Sequence, residues 1–163
     1  MKKLNIVTAD LDNERHAEAV LYVTNQYARD PMGLGTDLPE ETKESLIPEM
    51  KKFPGAFSLI AFFDDEPAGV ANCIYSFSTF NASKVINIHD LAVNNMFRGK
   101  GIGQALLGAV ERKAKEENCC KVTLEVREDN RARNLYERMG YSYGKPTMYF
   151  MTKYMDEQGP DYL

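Results

Sequence analysis

The sequence predicts an α/β (α+β) fold: a mixed, mostly antiparallel sheet of six or seven strands with a central parallel pair and about four flanking helices. Three observations predict it. Helical periodicity dominates the first third, apolar runs joined by a tight turn fill the middle, and a strand, helix, strand crossover follows a glycine-rich turn. The 163 residues suit one domain, and 44% hydrophobic residues are enough for one substantial core. No repeat, low-complexity tract or long Pro/Gly linker divides the chain, so residues 1–155 read as a single domain and Asp156 to Leu163 as a frayed tail.

Taken in order, Leu4 to Thr8 is a first strand. Asp12 then caps a helix to about Ala28, in which Ala17, Val20, Leu21 and Thr24 recur at helical spacing. Asp30-Pro-Met-Gly-Leu-Gly is a loop; Pro39 opens a second helix and Pro54-Gly55 closes it. Ala56 to Phe63 and Ala68 to Phe80 form a hairpin around Asp64-Asp65-Glu66-Pro67. Val85 to Val93 is a strand whose apolar parity switches, with Ile86 and Ile88 on one parity and Leu91 and Val93 on the other. Such a switch predicts a bulge near His89-Asp90.

Ile102, Ala105, Leu106, Ala109, Val110 and Ala114 make an amphipathic stripe down to about Glu117. Val122, Leu124 and Val126 alternate with polar residues, giving a strand parallel to the one before this helix. A last helix runs from about Asn130 to Met139 and stops at Gly140. Two short strands, Tyr141 to Tyr143 and Thr147 to Tyr154, complete the sheet.

Several functions are disfavoured by composition. A net charge of −4 with mixed signs lacks the cationic face that binds phosphate backbones, so no nucleic-acid partner is expected. Apolar runs such as Phe57 to Phe63 fall short of the roughly 20 residues that span a bilayer, and Met1-Lys2-Lys3 is not followed by an apolar signal core. A cytoplasmic protein without a membrane partner is expected. Cys73, Cys119 and Cys120 are odd in number and lack metal-ligand spacing, which predicts reduced packing residues rather than disulfides, and no metal.

The chemistry concentrates at Asn94-Asn95-Met96-Phe97-Arg98-Gly99-Lys100-Gly101-Ile102-Gly103. Alternating glycines free successive N–H groups to converge on one anion at a helix start, and a pyrophosphate is the natural guest. Arg98 and Lys100 add positive charge. A Rossmann fingerprint needs a third glycine after two spacers, yet Gln104, Ala105 and Leu106 follow Gly103. A Walker A loop needs Ser or Thr after Gly-Lys, and here glycine follows.

Taken together, His89-Asp90-Leu91-Ala92-Val93, the run Arg98 to Leu106, and Asn134-Leu135-Tyr136-Glu137-Arg138-Met139-Gly140-Tyr141 resemble the Gcn5-related N-acetyltransferase (GNAT) family, over roughly residues 56 to 154. The resemblance implies that the parallel strand pair is splayed, that the main chain of Leu91, Ala92 and Val93 pairs with the pantetheine arm and acetyl carbonyl, and that Arg98 to Gly103 hold the pyrophosphate of acetyl-coenzyme A, a co-substrate. Tyr136 stands where the family places a tyrosine near the thioester sulfur, a general-acid role for a phenol. The family often has an asparagine seven residues before that tyrosine; Asp129 has this spacing here, and Asn130, one residue closer, is the pantetheine candidate. Arg133 and Arg138 belong to a helix face that can be solvated or can reach the phosphates.

The resemblance also implies direct acetyl transfer to a primary amine, most simply of a small molecule. A protein or peptide N-terminus is the rival acceptor, and a non-catalytic acetyl-coenzyme A module is the rival from another class. An ammonium acceptor must lose a proton before attack, and His89 and Asp90 are the candidate bases. Polyamine-type relatives often carry an acidic pair there, and Tyr75 to Phe80 resembles that subgroup as well. The acceptor side is expected at Tyr27 to Glu44 and Tyr143 to Tyr149. Asp30, Asp37, Glu40, Glu41 and Glu44 would attract a cation or simply complement a helix start, and Tyr143, Tyr149 and Phe80 are candidate pocket aromatics. His16 reads as a surface residue. A homodimer is compatible with all of this.

Overall fold

The computed structural model describes residues 3–155. Strand β1 (Leu4–Thr8) leads into helix α1 (Glu14–Arg29), then α2 (Glu40–Lys52), and strands β2 (Ala56–Phe63), β3 (Glu66–Ser78) and β4 (Ser83–Val93). A short 3-10 turn (Asn95–Phe97) precedes α3 (Ile102–Glu116), β5 (Lys121–Leu124) and α4 (Ala132–Arg138). The five strands form one sheet in sequence order, antiparallel from β1 to β4, with β5 added parallel to β4 through the α3 crossover.

Both faces of the sheet are covered, which explains why Leu59 to Phe62 are buried without a break. Leu59 and Ala61 face the α3 side with Ile86, Ile88, Leu106 and Val110. Ile60 and Phe62, of opposite parity, face the α1 side with Val20, Val23, Val70 and Ala92. Helix α2 contributes only Ile47 and Met50 to that second cluster.

Local chemistry corrects several boundaries. Asn13, rather than Asp12, caps α1, because its carboxamide accepts the N–H of His16. The β2–β3 turn is tighter than the four residues expected. Asp64 and Asp65 take φ of 49° and 66°, the left-handed pair that a two-residue hairpin requires, so β3 begins at Glu66. Asn130 stands outside α4 and its side-chain oxygen accepts from Ala132 N, which starts that helix later than predicted.

The largest correction concerns strand number: among the described residues five are present, not six or seven. Tyr141 to Tyr143 and Thr147 to Tyr154 are not strands. Gly144, at φ 81°, turns the chain between them, and Met148, Tyr149, Phe150 and Met151 remain exposed, so their alternation has no layer to pack against. Among the described residues no strand pairs with the outer edge of β5. The predicted tail, 156–163, lies outside the described residues.

Candidate functional site

The site starts from one extra residue in β4. Cys73 of β3 pairs with Ile88, but the next residue back, Asn72, pairs with Asp90, leaving His89 as the bulge. Ile86 and Ile88 before it and Leu91 and Val93 after it all pack in the α3-side cluster, so the parity switch is absorbed there. Pairing with β5 runs only from Val85 to Ile88, whereas pairing with β3 continues to Val93. Beyond Ile88 the edge of β4 that faces β5 is unpaired, because β5 ends at Leu124, the partner of Ile88.

A cavity of about 410 Å³ opens beside this unpaired edge. Its first wall is Leu91, Ala92 and Val93 with Arg98 and Gly103; its second is Asn130, Leu135 and Tyr136 at the start of α4. The third comes from the end of α1 and the following loop: Gln26, Tyr27, Asp30 and Met32. His89, Asp90, Gly99, Lys100, Gly101 and Ile102 stand outside this lining.

Beside the first wall, Gly99 and Gly101 take φ of 74° and 76°, and a Cβ on either would meet no atom within 4 Å. Gly101 caps α3 with no side-chain hydrogen bond, and Ala105 N makes the first bond back, to the Gly101 carbonyl. The preceding N–H groups at this helix start thus remain available, pointing outward with the positive end of the dipole. Ile102 is 1% exposed, so its side chain anchors the helix and only its main chain can serve an anion. Beneath the turn, Gly69 lets α3 sit low: a Cβ there would come within 3.0 Å of the Ala92 carbonyl oxygen, Ile102 and Leu106. The two cations are not alike. Arg98 donates to Asp30 at 2.7 Å across the mouth of the cavity, whereas the Lys100 ammonium lies 5.6 Å from the Phe63 ring centroid.

Tyr136 is 8% exposed on α4, and burial pushes its phenol up to about 12, with Tyr27 adding to the shift. It stays protonated at neutral pH. Tyr27 is itself raised, first by burial and then by the charges of Asp90 and Asp30. The end of α1 therefore faces α4 across the cavity.

Of the two candidate bases, His89 is exposed, while Asp90 is half-buried and its Oδ2 accepts from Asn72 Nδ2 at 3.0 Å. Asn130 lines the cavity with its oxygen engaged by Ala132 N, which leaves its amide hydrogens free to donate. Asp129 is paired with Arg127 instead. Arg133 donates to the Tyr143 hydroxyl at 2.6 Å and to the Glu128 carbonyl, so Tyr143 braces the α4 surface.

Three expected pocket aromatics fail to reach the cavity: Tyr143 is held by Arg133, and Tyr149 and Phe80 are 88% and 101% exposed. Asp37 and Glu40 are engaged by Arg29 and Lys43 on the surface. Of the expected acceptor stretch Tyr27 to Glu44, Tyr27, Asp30 and Met32 line the cavity; Gln26, one residue before it, was not singled out by sequence, although the stripe of α1 carries one turn on to Gln26 and Tyr27. His16 is half-buried, its Nδ1 accepting from Asp10 N. Cys73 is buried, and burial pushes its thiol up to about 12, so it is inert; Cys119 is raised as well, first by burial. Among the described residues no helix is long and apolar enough to cross a membrane.

The family model described as "Acetyltransferase (GNAT) family" matches residues 14–141, which include all three walls. Solved structures agree on the fold. An integron cassette protein from the mobile metagenome of V. cholerae is 21% identical, with 93% of each chain covered and a TM-score of 0.78. Ribosomal-protein-alanine N-acetyltransferase from Brucella melitensis biovar Abortus 2308 is 19% identical over 93% of this chain and 100% of its own, TM-score 0.74. Glucosamine-6-phosphate N-acetyltransferase from Arabidopsis thaliana is 18% identical over 94% and 99%, TM-score 0.70.

Proposed function

We propose, since the chain belongs to the acetyltransferase (GNAT) family of acetyl-coenzyme A-dependent N-acetyltransferases, that it acetylates a primary amine of a small molecule by direct transfer. The observation that carries this reading is a convergence: an unpaired strand edge, a helix start without a side-chain cap and a protonated tyrosine border one cavity. The residues present fit the co-substrate. Two open glycines and free N–H groups suit its pyrophosphate, and the edge of Leu91 to Val93 suits an amide-bearing arm. When bound, acetyl-coenzyme A supplies an acetyl group activated as a thioester.

In this reading the main chain of Leu91, Ala92 and Val93 aligns the arm and gives hydrogen bonds to the carbonyl oxygen as charge gathers on it. Gly99, Gly101, Ile102 and Gly103 hold phosphate oxygens by their N–H groups, Arg98 and Lys100 contribute charge, and Asn130 donates to the arm. The amine nitrogen forms the new C–N bond with its lone pair, and the C–S bond breaks with its electrons passing to sulfur. Tyr136 gives its phenolic proton to that sulfur and regains one from solvent. The proton that the ammonium loses before attack passes to Asp90, directly or through one water, with His89 as the neighbouring alternative, and the second nitrogen proton, shed after the C–N bond forms, passes to solvent.

A small acceptor suits the third wall, where Tyr27, Asp30 and Met32 border the cavity from the end of α1 and the loop that follows it. The test is a thiol-release assay with acetyl-coenzyme A and a panel of polyamines, amino acids, aminoglycosides and short peptides. Release with a small amine is the expected result. Activity on peptides alone would overturn the acceptor class, and tight binding without release on any member would favour a sensor.

A further inference from the structure

Asn72, 8% exposed, is a buried polar residue on the α1 face of the sheet, in a layer whose apolar members include Val20, Val23, Val70 and Ala92. An amide buried there is costly unless it is hydrogen-bonded, and an apolar residue would serve packing as well. Asn72 is fully engaged. Its Oδ1 accepts from the Ser58 hydroxyl at 2.7 Å, and its Nδ2 donates both to Thr24 Oγ1 and to Asp90 Oδ2, each at 3.0 Å. Ser58 is itself 1% exposed, and three elements, α1, β2 and β4, converge on this one β3 carboxamide.

Its position in the ladder is as informative as its bonds. Asn72 lies directly opposite Asp90, at the step where the register shifts past His89. A bulge interrupts the ladder and leaves the following residue less restrained by backbone pairing than a regular strand residue. An ionised carboxylate can only accept, so the two amide hydrogens of Asn72 must point at Asp90 and Thr24 while Ser58 donates to its oxygen. That arrangement has one orientation, and it turns the Asp90 carboxylate toward α1, where Tyr27 senses its charge beside the cavity.

We propose that Asn72 is the positioning residue of this site: anchored by Ser58 and Thr24, it holds the Asp90 carboxylate at the bulge in the orientation that receives the acceptor's proton. The inference rests on the reading of Asp90 as the base. A positioning role of this kind acts on turnover and leaves the coenzyme side untouched, because the side-chain hydrogen bonds of Asn72 go to Ser58, Thr24 and Asp90 and to neither the glycine turn nor Leu91 to Val93.

The experiment is a double-mutant cycle with Asn72→Leu and Asp90→Asn, using the best amine from the thiol-release panel, with acetyl-coenzyme A binding measured by calorimetry on each variant. Loss of a general base predicts a kcat fall of about 100-fold for Asp90→Asn, and a misdirected base a fall of about 10-fold for Asn72→Leu. Coenzyme affinity and the acceptor KM stay within about twofold, and the double variant is no slower than Asp90→Asn alone. Should Asn72→Leu fail to fold, Thr24→Val and Ser58→Ala remove one anchor each and carry the same test, with kcat losses of about 2- to 5-fold that vanish in the Asp90→Asn background. If Asp90→Asn retains full turnover, the base reading fails and takes this proposal with it. If Asp90→Asn is slow but Asn72→Leu is as fast as the wild type, or if the two losses add in full, Asn72 is a packing residue and only this proposal falls.

Discussion

The wall of the cavity that faces the coenzyme side and the wall formed by the end of α1 are built in different ways. The first is main chain: an unpaired edge at Leu91 to Val93, two left-handed glycines and an uncapped helix start, all within about a dozen consecutive residues. The second is side chains, Tyr27, Asp30 and Met32, whose surroundings come from Asp90, Arg98 and Arg127, far along the chain. A backbone site recognises an invariant ligand by shape. A side-chain site can change its guest by substitution without disturbing that shape.

The comparison breaks most visibly at Gly101. A Gly101→Val change forces a β-branched residue to a φ of 76° and puts methyl groups into the open space where we propose that phosphate binds. Acetyl-coenzyme A affinity should fall by at least about 30-fold in calorimetry, while the strain lowers stability by only about 1–2 kcal/mol in denaturant titration. Unchanged affinity would mean that the turn is not the phosphate site.

Tyr136→Phe removes a proton donor and little volume. We expect kcat to fall about 10- to 100-fold at pH 7 with coenzyme affinity unchanged. Because burial holds the Tyr136 phenol near 12, its ionisation should cause no fall in rate between pH 7 and 9. A Phe variant as fast as the wild type would leave the sulfur to be protonated by water.

Across the cavity, Tyr27→Phe should raise the acceptor KM by about 3- to 10-fold, the worth of one hydrogen bond, and leave coenzyme affinity alone. An effect on coenzyme binding instead would erase the distinction between the walls.

The smallest effect is expected from Asp30. Burial alone would raise its carboxyl, but the Arg98 hydrogen bond, the Met32 N–H and the Arg98 charge outweigh it and hold the group below its ordinary 3.8. A depressed carboxyl contributes stability that is present above the unfolded value and is lost as pH falls through the folded one. Acid unfolding of the wild type should therefore be steeper below about pH 4 than that of Asp30→Asn. At pH 7 the two should differ by no more than about 1 kcal/mol, since the Arg98 end of the pair is exposed. Equal acid profiles would show that Arg98 does not hold Asp30 in solution.

The same contrast explains how much was legible in the sequence. The glycine turn, the α3 stripe and the parity switch at His89-Asp90 are short-range patterns, and each matches an observed element. The α1 wall was visible only as a region, because which of its residues reach the cavity depends on where the loop after Arg29 returns to meet Arg98. Tyr143, Tyr149 and Phe80 misled for a related reason: aromatic composition marks a pocket or a surface equally well until partners such as Arg133 are known. The two extra strands show the limit of alternation, which states that a segment can pair but supplies no edge to pair with. Asn72 left no trace in sequence, since an asparagine within a strand acquires meaning only from Ser58, Thr24 and Asp90 around it.

The bulge at His89 has a consequence for insertions and deletions. Ile88 and Leu91 already face the same side, so removing His89 alone would leave every other β4 side chain on its present face in a strand of ordinary period. Such a shortened chain should melt no lower than its parent and give no calorimetric signal with acetyl-coenzyme A; a clear binding isotherm would refute it. The unpaired edge beside the cavity is in that sense one codon's worth of excess length, carried where the sheet can bend around it and nowhere compensated in the neighbouring strand.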